Sequence, residues 1–345
     1  MIKKSKSRFV IDGVEVKLGE RKRVNIDMGS IYDFTDVKMS AEVIRGKKEG
    51  PTLFVSSTIH GDEIGGIEIV RQVLKSNILR NIRGTLILIP IVNVFGFNDR
   101  TRYLPDRRDM NRCFPGLKNG SLASQVAYKF MEEVVKKSDY GIDLHTGAYH
   151  RCNYPQIRAN INDEKTFNLA KAFGAAVIIN SDLRDGSLRE AVAAQKIPML
   201  LYEAGEALRF DENTVKIGVN GIFNFMREIG MINSKFCEIS KIQTFIAHSS
   251  SWVRAPKSGI HIPCKKLGKI VKKNEVIGEI SNPFGDHKVF VKAHEDGVII
   301  GMSMLPLANK GDALFHIASE KEAKKIQNHI YRDENLENID PINSR

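Results

Sequence analysis

Apolar and helical patterns alternate along the chain between residues 50 and 232. Near-continuous apolar runs lie at 52–58, 84–93, 140–146, 175–180 and 197–203. Runs of this length are typical of strands that are buried on both faces of a sheet. Helical periodicity occurs at 64–77, 121–138 and 211–230. The alternation predicts an α/β domain with a mostly parallel central sheet, in which Ser121 caps the second helix.

The pattern changes after about residue 240. Short β-rich runs broken by glycine turns continue to residue 318, and two related half-patterns, VRAPKSGIHI and VKAHEDGVII, occur among them. This texture predicts a small all-β domain over 240–318, built from two related halves. Residues 1–45 are expected to form a β-segment that leads into a main α/β domain over 46–235. The charged residues 319–345 are expected to form a polar tail.

The composition gives expectations about partners and location. Its hydrophobic fraction of 42% and charged fraction of 27% are typical of a globular protein. The basic N-terminus lacks the apolar segment of a signal peptide, and no stretch approaches the roughly 20 apolar residues of a membrane helix. We therefore expect a cytoplasmic protein without a membrane partner. The net charge is +11, but the lysines are dispersed and lack interleaved aromatic residues, which argues against a nucleic-acid partner.

The four cysteines are scattered along the chain and form no C-x-x-C pair. They are Cys113, Cys152, Cys237 and Cys264. This spacing argues against a disulfide framework and against a thiolate zinc site, so it predicts free thiols.

Polar residues follow three of the predicted strands. His60 and Glu63 come directly after the first apolar run, His145 ends the third and Glu203 ends the fifth. Ligands of open α/β sheets bind beyond the carboxyl ends of the strands, so these side chains are expected to meet there. Two imidazoles and one carboxylate form the ligand set of a catalytic zinc site, and Glu203 would then be its general base. Taken singly, each of these residues could be structural.

Three further acidic residues are candidates at the same positions. Asp143 lies two residues before His145, so on a strand it points to the same side. It could orient that imidazole or have a plain structural role, and Asp62 could act in the same way more weakly. Glu206 is the alternative general base. It is predicted to fall in the turn after the strand, which favours Glu203.

Five arginines lie within thirteen residues of a predicted loop: Arg100, Arg102, Arg107, Arg108 and Arg112. The arginine fork binds a carboxylate through two hydrogen bonds, so Arg112 and the neighbouring Asn111 suit a substrate carboxylate. Arg102 could stabilise the oxyanion of a tetrahedral intermediate. The alternative interpretation is a solvated basic loop.

Four motifs resemble the succinylglutamate desuccinylase/aspartoacylase family, whose members are related to zinc metallocarboxypeptidases. The motifs are HGDE (60–63), RDMNRCFPG (108–116), DLHTG (143–147) and YEAGE (202–206), and the resemblance covers about residues 10–318. It implies one zinc ion per subunit, held by His60, Glu63 and His145. It also implies that Arg102 polarises the scissile carbonyl, that Asn111 and Arg112 bind the substrate carboxylate, and that Glu203 is the base.

The resemblance leaves other features open. Arg189 is either a further anion contact or an exposed helix arginine. The C-terminal β-domain resembles the family's barrel-sandwich domain, which is akin to lipoyl and biotinyl modules. It lacks the modifiable lysine between methionines, so it is expected to be a lid or an assembly element and not a carrier of a prosthetic group.

The function implied by the resemblance is a zinc-dependent hydrolase of amide bonds other than peptide bonds. It would remove the acyl group from an N-acyl amino acid that carries a carboxylate, and the subunits could form a homo-oligomer. A carboxypeptidase that cleaves a C-terminal residue from a peptide would use the same catalytic residues. A non-catalytic binding module would be favoured if a metal ligand were missing, and none is.

Overall fold

A computed structural model describes residues 8–233 and 244–320. The described chain begins with antiparallel strands. They are β1 (Phe9–Ile11), β2 (Val14–Val16), β3 (Arg21–Ser30) and β4 (Asp36–Arg45). The first two form a small pair, and β3 and β4 form a long hairpin. Along β3, buried Val24, Ile26 and Met28 alternate with exposed polar residues, which is the pattern of a strand with one solvated face.

A mostly parallel sheet follows and positions the candidate site. Its strands are β5 (Lys48–Ser57), β6 (Arg83–Ile89), β7 (Tyr140–Gly147), β8 (Arg151–Ala159), β9 (Val177–Asn180) and β10 (Met199–Glu206). Four of them run parallel in the order β6, β5, β7, β10. β4 pairs antiparallel with β6 at one side, so the N-terminal hairpin extends this sheet. On the other side β8 pairs antiparallel with β10.

Helices cover both faces of the parallel strands, which explains their continuous apolar sequences. The helices are α1 (Gly65–Lys75), α2 (Val94–Asn98), α3 (Leu122–Glu133), α4 (Glu164–Phe173), α5 (Leu188–Ala194) and α6 (Glu212–Glu228). On one face, Phe54 of β5 packs edge-to-face against Phe130 of α3, with ring centroids 5.9 Å apart. Its neighbours Leu53 and Val55 belong to the opposite core, which α1, α4 and α6 share.

The local predictions fail at three points. The helix predicted over 121–138 ends at Glu133 and is followed by a 3₁₀ turn, Val135–Lys137. Ser121 occupies the N-cap position, but its side chain makes no capping hydrogen bond. The antiparallel strand β8 was not predicted either, because RCNYPQIRA mixes polar, charged and apolar residues and contains a proline.

The C-terminal strands form two sheets, one of which is continuous with the main sheet. The strands are β11 (Phe245–Ala247), β12 (Ser249–Arg254), β13 (Gly259–Pro263), β14 (Ile270–Val271), β15 (Val276–Ser281), β16 (Lys288–Lys292), β17 (Gly297–Ser303), β18 (Leu307–Ala308) and β19 (Ala313–Ser319). β17 pairs with β8, so the order across the sheet runs β12, β19, β17, β8, β10, β7. β13, β15, β16 and β18 form a separate four-stranded sheet. The predicted fold class is thereby confirmed, whereas the predicted domain limits stay a prediction. The predicted boundary near 235–240 and nearly all of the predicted tail lie outside the described residues.

Two of the composition-based expectations can be compared with the described residues. Cys113, Cys152 and Cys264 are free thiols, and Cys237 lies outside the described part. Within residues 8–233 and 244–320, none of the helices combines the length and apolarity needed to cross a membrane. A cytoplasmic location and a homo-oligomer stay predictions.

Candidate active site

Three buried side chains meet at the carboxyl ends of β5 and β7. His60 and Glu63 lie in the turn between β5 and α1, and His145 lies on β7. The two oxygens of the Glu63 carboxylate face the two imidazoles, with Oε1 2.7 Å from Nδ1 of His60 and Oε2 2.7 Å from Nδ1 of His145. One potential ligand atom of each residue lies within 4.8 Å of the others. The structure thus brings together the three residues that were predicted as metal ligands.

The donor set of this cluster fits a divalent cation. Burial lowers the pKa of His145, but the neighbouring Asp143 and Glu63 carboxylates outweigh it and hold that pKa well above its usual value. Burial raises the pKa of Glu63, yet the two imidazoles outweigh it and hold its pKa well below the usual range. The Glu63 carboxylate therefore attracts positive charge to the two Nδ1 atoms. A divalent metal ion supplies that charge when it displaces the protons, which is how such ligands bind metal.

The turn that carries His60 and Glu63 needs an unusual backbone at its start and a close approach at its centre. Thr58, a β-branched residue, has a left-handed φ of 59°, and its hydroxyl donates to the carbonyl oxygen of Glu63 at 3.3 Å. A Cβ atom on Gly61 would lie 2.0 Å from the backbone of Gly96 at α2. Only glycine allows the turn to pack against α2 in this way.

Two aspartates face the outer nitrogens of the histidines. Oδ2 of Asp143 lies 2.6 Å from Nε2 of His145, and Asp143 also accepts a hydrogen bond from Ser56. It therefore contacts the imidazole that it was predicted to orient. Oδ1 of Asp109 faces Nε2 of His60 at 3.2 Å, but without the geometry of a hydrogen bond. A carboxylate at the outer nitrogen fixes the ring orientation and leaves Nδ1 free to bind a metal, as Asp143 does for His145. By contrast, Asp62 has a buried oxygen that accepts no hydrogen bond from the described residues.

Arg102 lies against the same cluster, and Asp109 holds it there. Oδ2 of Asp109 accepts hydrogen bonds from Nε and Nη2 of Arg102 at 3.1 and 2.8 Å. The third guanidinium nitrogen, Nη1, is 3.3 Å from Oε1 of Glu63. Sequence reasoning missed Asp109. Its only signal was its place in the RDMNR stretch, between the arginines and Asn111.

The predicted carboxylate clamp, Asn111 and Arg112, is positioned by the N-terminus of α5. Oδ1 of Asn111 accepts a hydrogen bond from the backbone N–H of Leu188 at 2.9 Å, which directs the amide nitrogen elsewhere. Arg112 is exposed, and its Nη1 donates to the backbone oxygen of Asn111 at 2.5 Å. A guanidinium bound only to a neighbouring carbonyl keeps most of its donors for an anion.

Glu203 stands beside His145, since the two residues are in register on the neighbouring strands β10 and β7. Its carboxylate accepts a hydrogen bond from Nδ2 of Asn153 at 2.8 Å and forms an ion pair with Arg158. Both partners lie on β8, and sequence reasoning missed both because β8 itself was not predicted. Glu206 does not fall in a turn, since β10 continues to it through a bulge at Gly205, whose φ is 78°.

These side chains line one cavity of about 270 Å³. Its wall includes His60, Glu63, Arg102, Asn111, Arg112, His145, Asn153, Arg158, Arg189 and Glu203, together with Arg151, Arg184, Trp252 and His316. Glu206 is outside this lining and lies 3.7 Å from Nε of the exposed Arg209. The residues predicted as metal ligands, as the favoured base and as substrate contacts therefore line the same cavity, whereas the further candidate Asp62 does not.

Arg189 is buried in the wall of this cavity, so its interpretation as an exposed helix arginine is wrong. Its Nη2 donates to the backbone oxygen of Asp182 at 2.6 Å and to Ser181 at 3.2 Å. Its Nη1 is buried and donates to no described residue. Burial lowers the pKa of Arg189 to about 10, and the nearby positive charge of Arg158 acts in the same direction. A buried guanidinium with a free donor is suited to bind an anion.

The chain is similar in sequence to a known family and to a known deacetylase. Residues 49–229 match the family described as the succinylglutamate desuccinylase/aspartoacylase catalytic domain. The N-alpha-acetyl-L-2,4-diaminobutyric acid deacetylase of Halomonas elongata is 26% identical over 287 residues, which cover 80% of this chain and 84% of the relative.

Two solved structures are similar in fold. The succinylglutamate desuccinylase/aspartoacylase of Rhodobacter sphaeroides has a TM-score of 0.76 at 23% identity and covers 87% of this chain and 96% of its own. The product-bound ectoine utilization protein EutE of Ruegeria pomeroyi has a TM-score of 0.78 at 22% identity and covers 87% and 95%. Since the family match extends over more than half of the sequence, from β5 to the end of α6, the chain belongs to the succinylglutamate desuccinylase/aspartoacylase family.

Proposed function

We propose that this protein is a zinc-dependent amidohydrolase that removes the acyl group from an N-acyl amino acid with a free carboxylate. The observation that carries the proposal is the convergence of His60, Glu63 and His145, in which both carboxylate oxygens face an imidazole Nδ1 at 2.7 Å. Two imidazoles and one carboxylate are the protein ligands of many catalytic zinc sites. The family membership and the deacetylase relative support amide hydrolysis as the reaction.

A zinc ion held by these three residues would supply a Lewis acid that polarises a carbonyl group and lowers the pKa of water. Arg102 is fixed beside Glu63 by Asp109, so its guanidinium can donate to the oxygen that becomes negative during attack on the amide. Its position depends on side chains that are already ordered. Arg102 therefore needs no reorganisation when the charge develops.

Glu203 is assigned as the general base because it lines the cavity beside His145, whereas Glu206 does not. It takes a proton from the attacking water and returns it to the leaving amine. Arg158 and Asn153 hold its two oxygens, which fixes the direction of the carboxylate.

Asn111, Arg112 and Arg189 are assigned to the anionic groups of the substrate. Arg112 has free donors at the surface of the cavity, and Arg189 has a free donor in its buried wall. A bidentate arginine and a neighbouring amide together distinguish a carboxylate from a neutral amide. The cavity of about 270 Å³ is small for a ligand pocket, which favours an N-acyl amino acid over a peptide.

Hydrolysis of a matched substrate series by the zinc-loaded protein tests this proposal. We expect turnover of N-acyl amino acids, little turnover of the same compounds with the carboxylate converted to an amide, and little cleavage of tripeptides. The Glu203→Gln variant with full zinc content is the negative control. Efficient release of C-terminal residues from peptides, with N-acetyl amino acids untouched, would replace the deacylase assignment with a carboxypeptidase.

A further inference from the structure

Two side chains of the C-terminal strands reach the catalytic cavity. Trp252 on β12 pairs in register with His316 on β19, and their rings stack with centroids 4.5 Å apart and planes 12° from parallel. The guanidinium of Arg151 on β8 lies 5.1 Å from the centroid of the Trp252 ring. All three residues line the cavity that contains the candidate metal ligands. We call Trp252 and His316 the aromatic wall.

The aromatic wall and Asn153, the residue that holds the general base, approach each other across Gly301 of β17. A Cβ atom built on Gly301 of β17 would lie 2.8 Å from Oδ1 of Asn153, 3.1 Å from Cβ of His316 and 3.6 Å from the Trp252 ring. Asn153 in turn donates to Glu203. A glycine at this position is what lets the wall approach the Asn153–Glu203 pair so closely.

The strand order places the wall on a defined side of the reaction centre. Across the sheet, His145 on β7 is followed by Glu203 on β10, Asn153 on β8, Gly301 on β17, His316 on β19 and Trp252 on β12. The leaving amine must lie beside Glu203, because the base returns its proton there. Along this strand order, Glu203 lies between the metal ligand His145 and the aromatic wall. The wall therefore faces the amine side of the scissile bond and not the acyl side.

We propose that Trp252 and His316 form the surface that selects the side chain of the leaving amino acid. This inference rests on the proposed deacylase function and adds to it a specificity determinant supplied by the C-terminal strands. The wall presents the edges of two stacked rings, the indole of Trp252 and the imidazole of His316. It is therefore suited to a side chain that packs against an aromatic surface and exchanges a single hydrogen bond with His316.

The charges around the wall exclude one class of side chain. Burial lowers the pKa of His316 to about 3, and the positive charges of Arg158, Arg184 and Arg151 act in the same direction. His316 is therefore a neutral imidazole at pH 7, and the arginines around it repel a cationic group. We expect this enzyme to discriminate against N-acetyl-diaminobutyrate, whose side chain is cationic, although a curated relative is named for that substrate.

The single tryptophan of the chain allows a direct binding test that needs no turnover. The zinc-loaded protein is titrated with glycine, leucine, phenylalanine, aspartate and lysine, which represent the amine products, and with acetate, which represents the acyl product. We expect a saturable change in Trp252 emission whose amplitude depends on the side chain, is smallest for glycine and is absent for acetate. An emission change that is the same for every amino acid, or that acetate alone produces, would overturn the proposal.

Kinetics of wall variants give the second test. Trp252→Ala and His316→Gln should change the ratio of kcat/KM between N-acetyl amino acids of different side chain by about tenfold, the size expected for one contact with an aromatic ring. The ratio between acetyl and propionyl groups on one amino acid should stay within about twofold. Trp252→Phe should retain most of the selectivity. His287→Gln, at an exposed histidine outside the cavity lining, is the matched control and should change neither ratio.

The outcomes separate this inference from the function on which it rests. If the wild type hydrolyses no N-acyl amino acid, the deacylase proposal fails, and the emission titration still decides whether the wall faces an amino-acid side chain. If the wild type is active but the variants change the acyl ratio and leave the side-chain ratio unaltered, the wall lines the acyl pocket and the inference is wrong. Zinc content and melting temperature of each variant identify any loss that is due to misfolding.

Discussion

The two halves of the cavity differ in how their charges are balanced. In the metal-ligand half, protein groups face each other: Glu63 contacts both histidines, Asp143 contacts His145, and Asp109 joins His60 to Arg102. In the other half, Arg112, Arg151 and Arg184 form no ion pair with any described residue. The first half is arranged for one constant ion. In the second half, the positive charge of the arginines is balanced only when a ligand binds. We therefore expect substitutions there to reduce activity by amounts that depend on the substrate.

Removal of a metal ligand should give the largest effect. His145→Ala deletes one of three ligands and leaves the buried Asp143 without its imidazole partner. We expect loss of stoichiometric zinc, measured by elemental analysis, and a fall in activity greater than the roughly 10–100-fold typical of substitutions outside the ligand set. His294→Ala is the control for loss of a histidine. Full zinc occupancy in His145→Ala would contradict the ligand assignment.

Replacement of Glu203, the proposed general base, should give the next largest effect without loss of the metal. Glu203→Gln keeps the shape of the side chain and one hydrogen-bond acceptor but cannot take a proton. We expect kcat to fall by about 10²–10⁴-fold with zinc content unchanged. Glu206→Gln is the matched control on the same strand, because Glu206 is outside the cavity lining. Near-normal kcat in Glu203→Gln, with a loss in Glu206→Gln, would transfer the role to Glu206.

The same contrast explains which parts of the site were predictable from the sequence. His60, Glu63, His145 and Glu203 directly follow or end apolar runs, so their shared position at one edge of a parallel sheet follows from local patterns. Helix lengths and caps were less predictable, since the helix that follows Ser121 begins without the expected capping bond and ends early. The amphipathic and apolar patterns predicted the α/β core, and the motifs predicted the residues of the metal-ligand half.

The other half depends on pairings between distant segments. Asn153 and Arg158 lie on β8, so their place in the site could be recognised only from the structure. The mixed sequence of β8 shows no strand pattern. Trp252 and His316 enter the cavity because β17 pairs with β8 and β19 pairs with β17, more than 140 residues along the chain from β8. Pairing between strands so far apart in the sequence depends on tertiary packing, which local strand preference does not reveal. The burial of Arg189 likewise depends on how α5 is packed.

Substitution of Arg112, in the half of the cavity that contains the arginines without ion pairs, should raise KM. Arg112→Ala removes a bidentate donor that makes no hydrogen bond to a side chain of the described protein, so folding should be unaffected. A hydrogen bond to a charged group contributes about 1.5–3 kcal/mol, which corresponds to an increase in KM of roughly 10–100-fold. Arg112→Lys should restore little, because an ammonium group cannot form the fork.

A substrate comparison is the control for this prediction. The wild type should hydrolyse the amide analogue of its substrate poorly, and Arg112→Ala should make little further difference to it. If the wild type handles acid and amide equally well, the arginine loop is not a carboxylate clamp. The assignment of an anionic substrate would then be wrong as well.

The smallest expected effect is a change in the pH dependence of stability. His316 has a pKa of about 3 in the folded protein because of burial and the neighbouring arginines, against an ordinary value of 6.5. Between these values the unfolded chain binds one more proton, so acid favours unfolding, and the stabilisation present above pH 6.5 is lost as the pH falls.

His316→Gln removes this titration. We therefore expect its free energy of unfolding to fall by about 1 kcal/mol less than that of the wild type between about pH 6.5 and 5.5, measured by urea denaturation. His294→Gln, which alters an exposed histidine, should retain the wild-type slope. Equal slopes for wild type and His316→Gln would mean that burial and the neighbouring arginines do not lower the pKa of His316 in the folded protein.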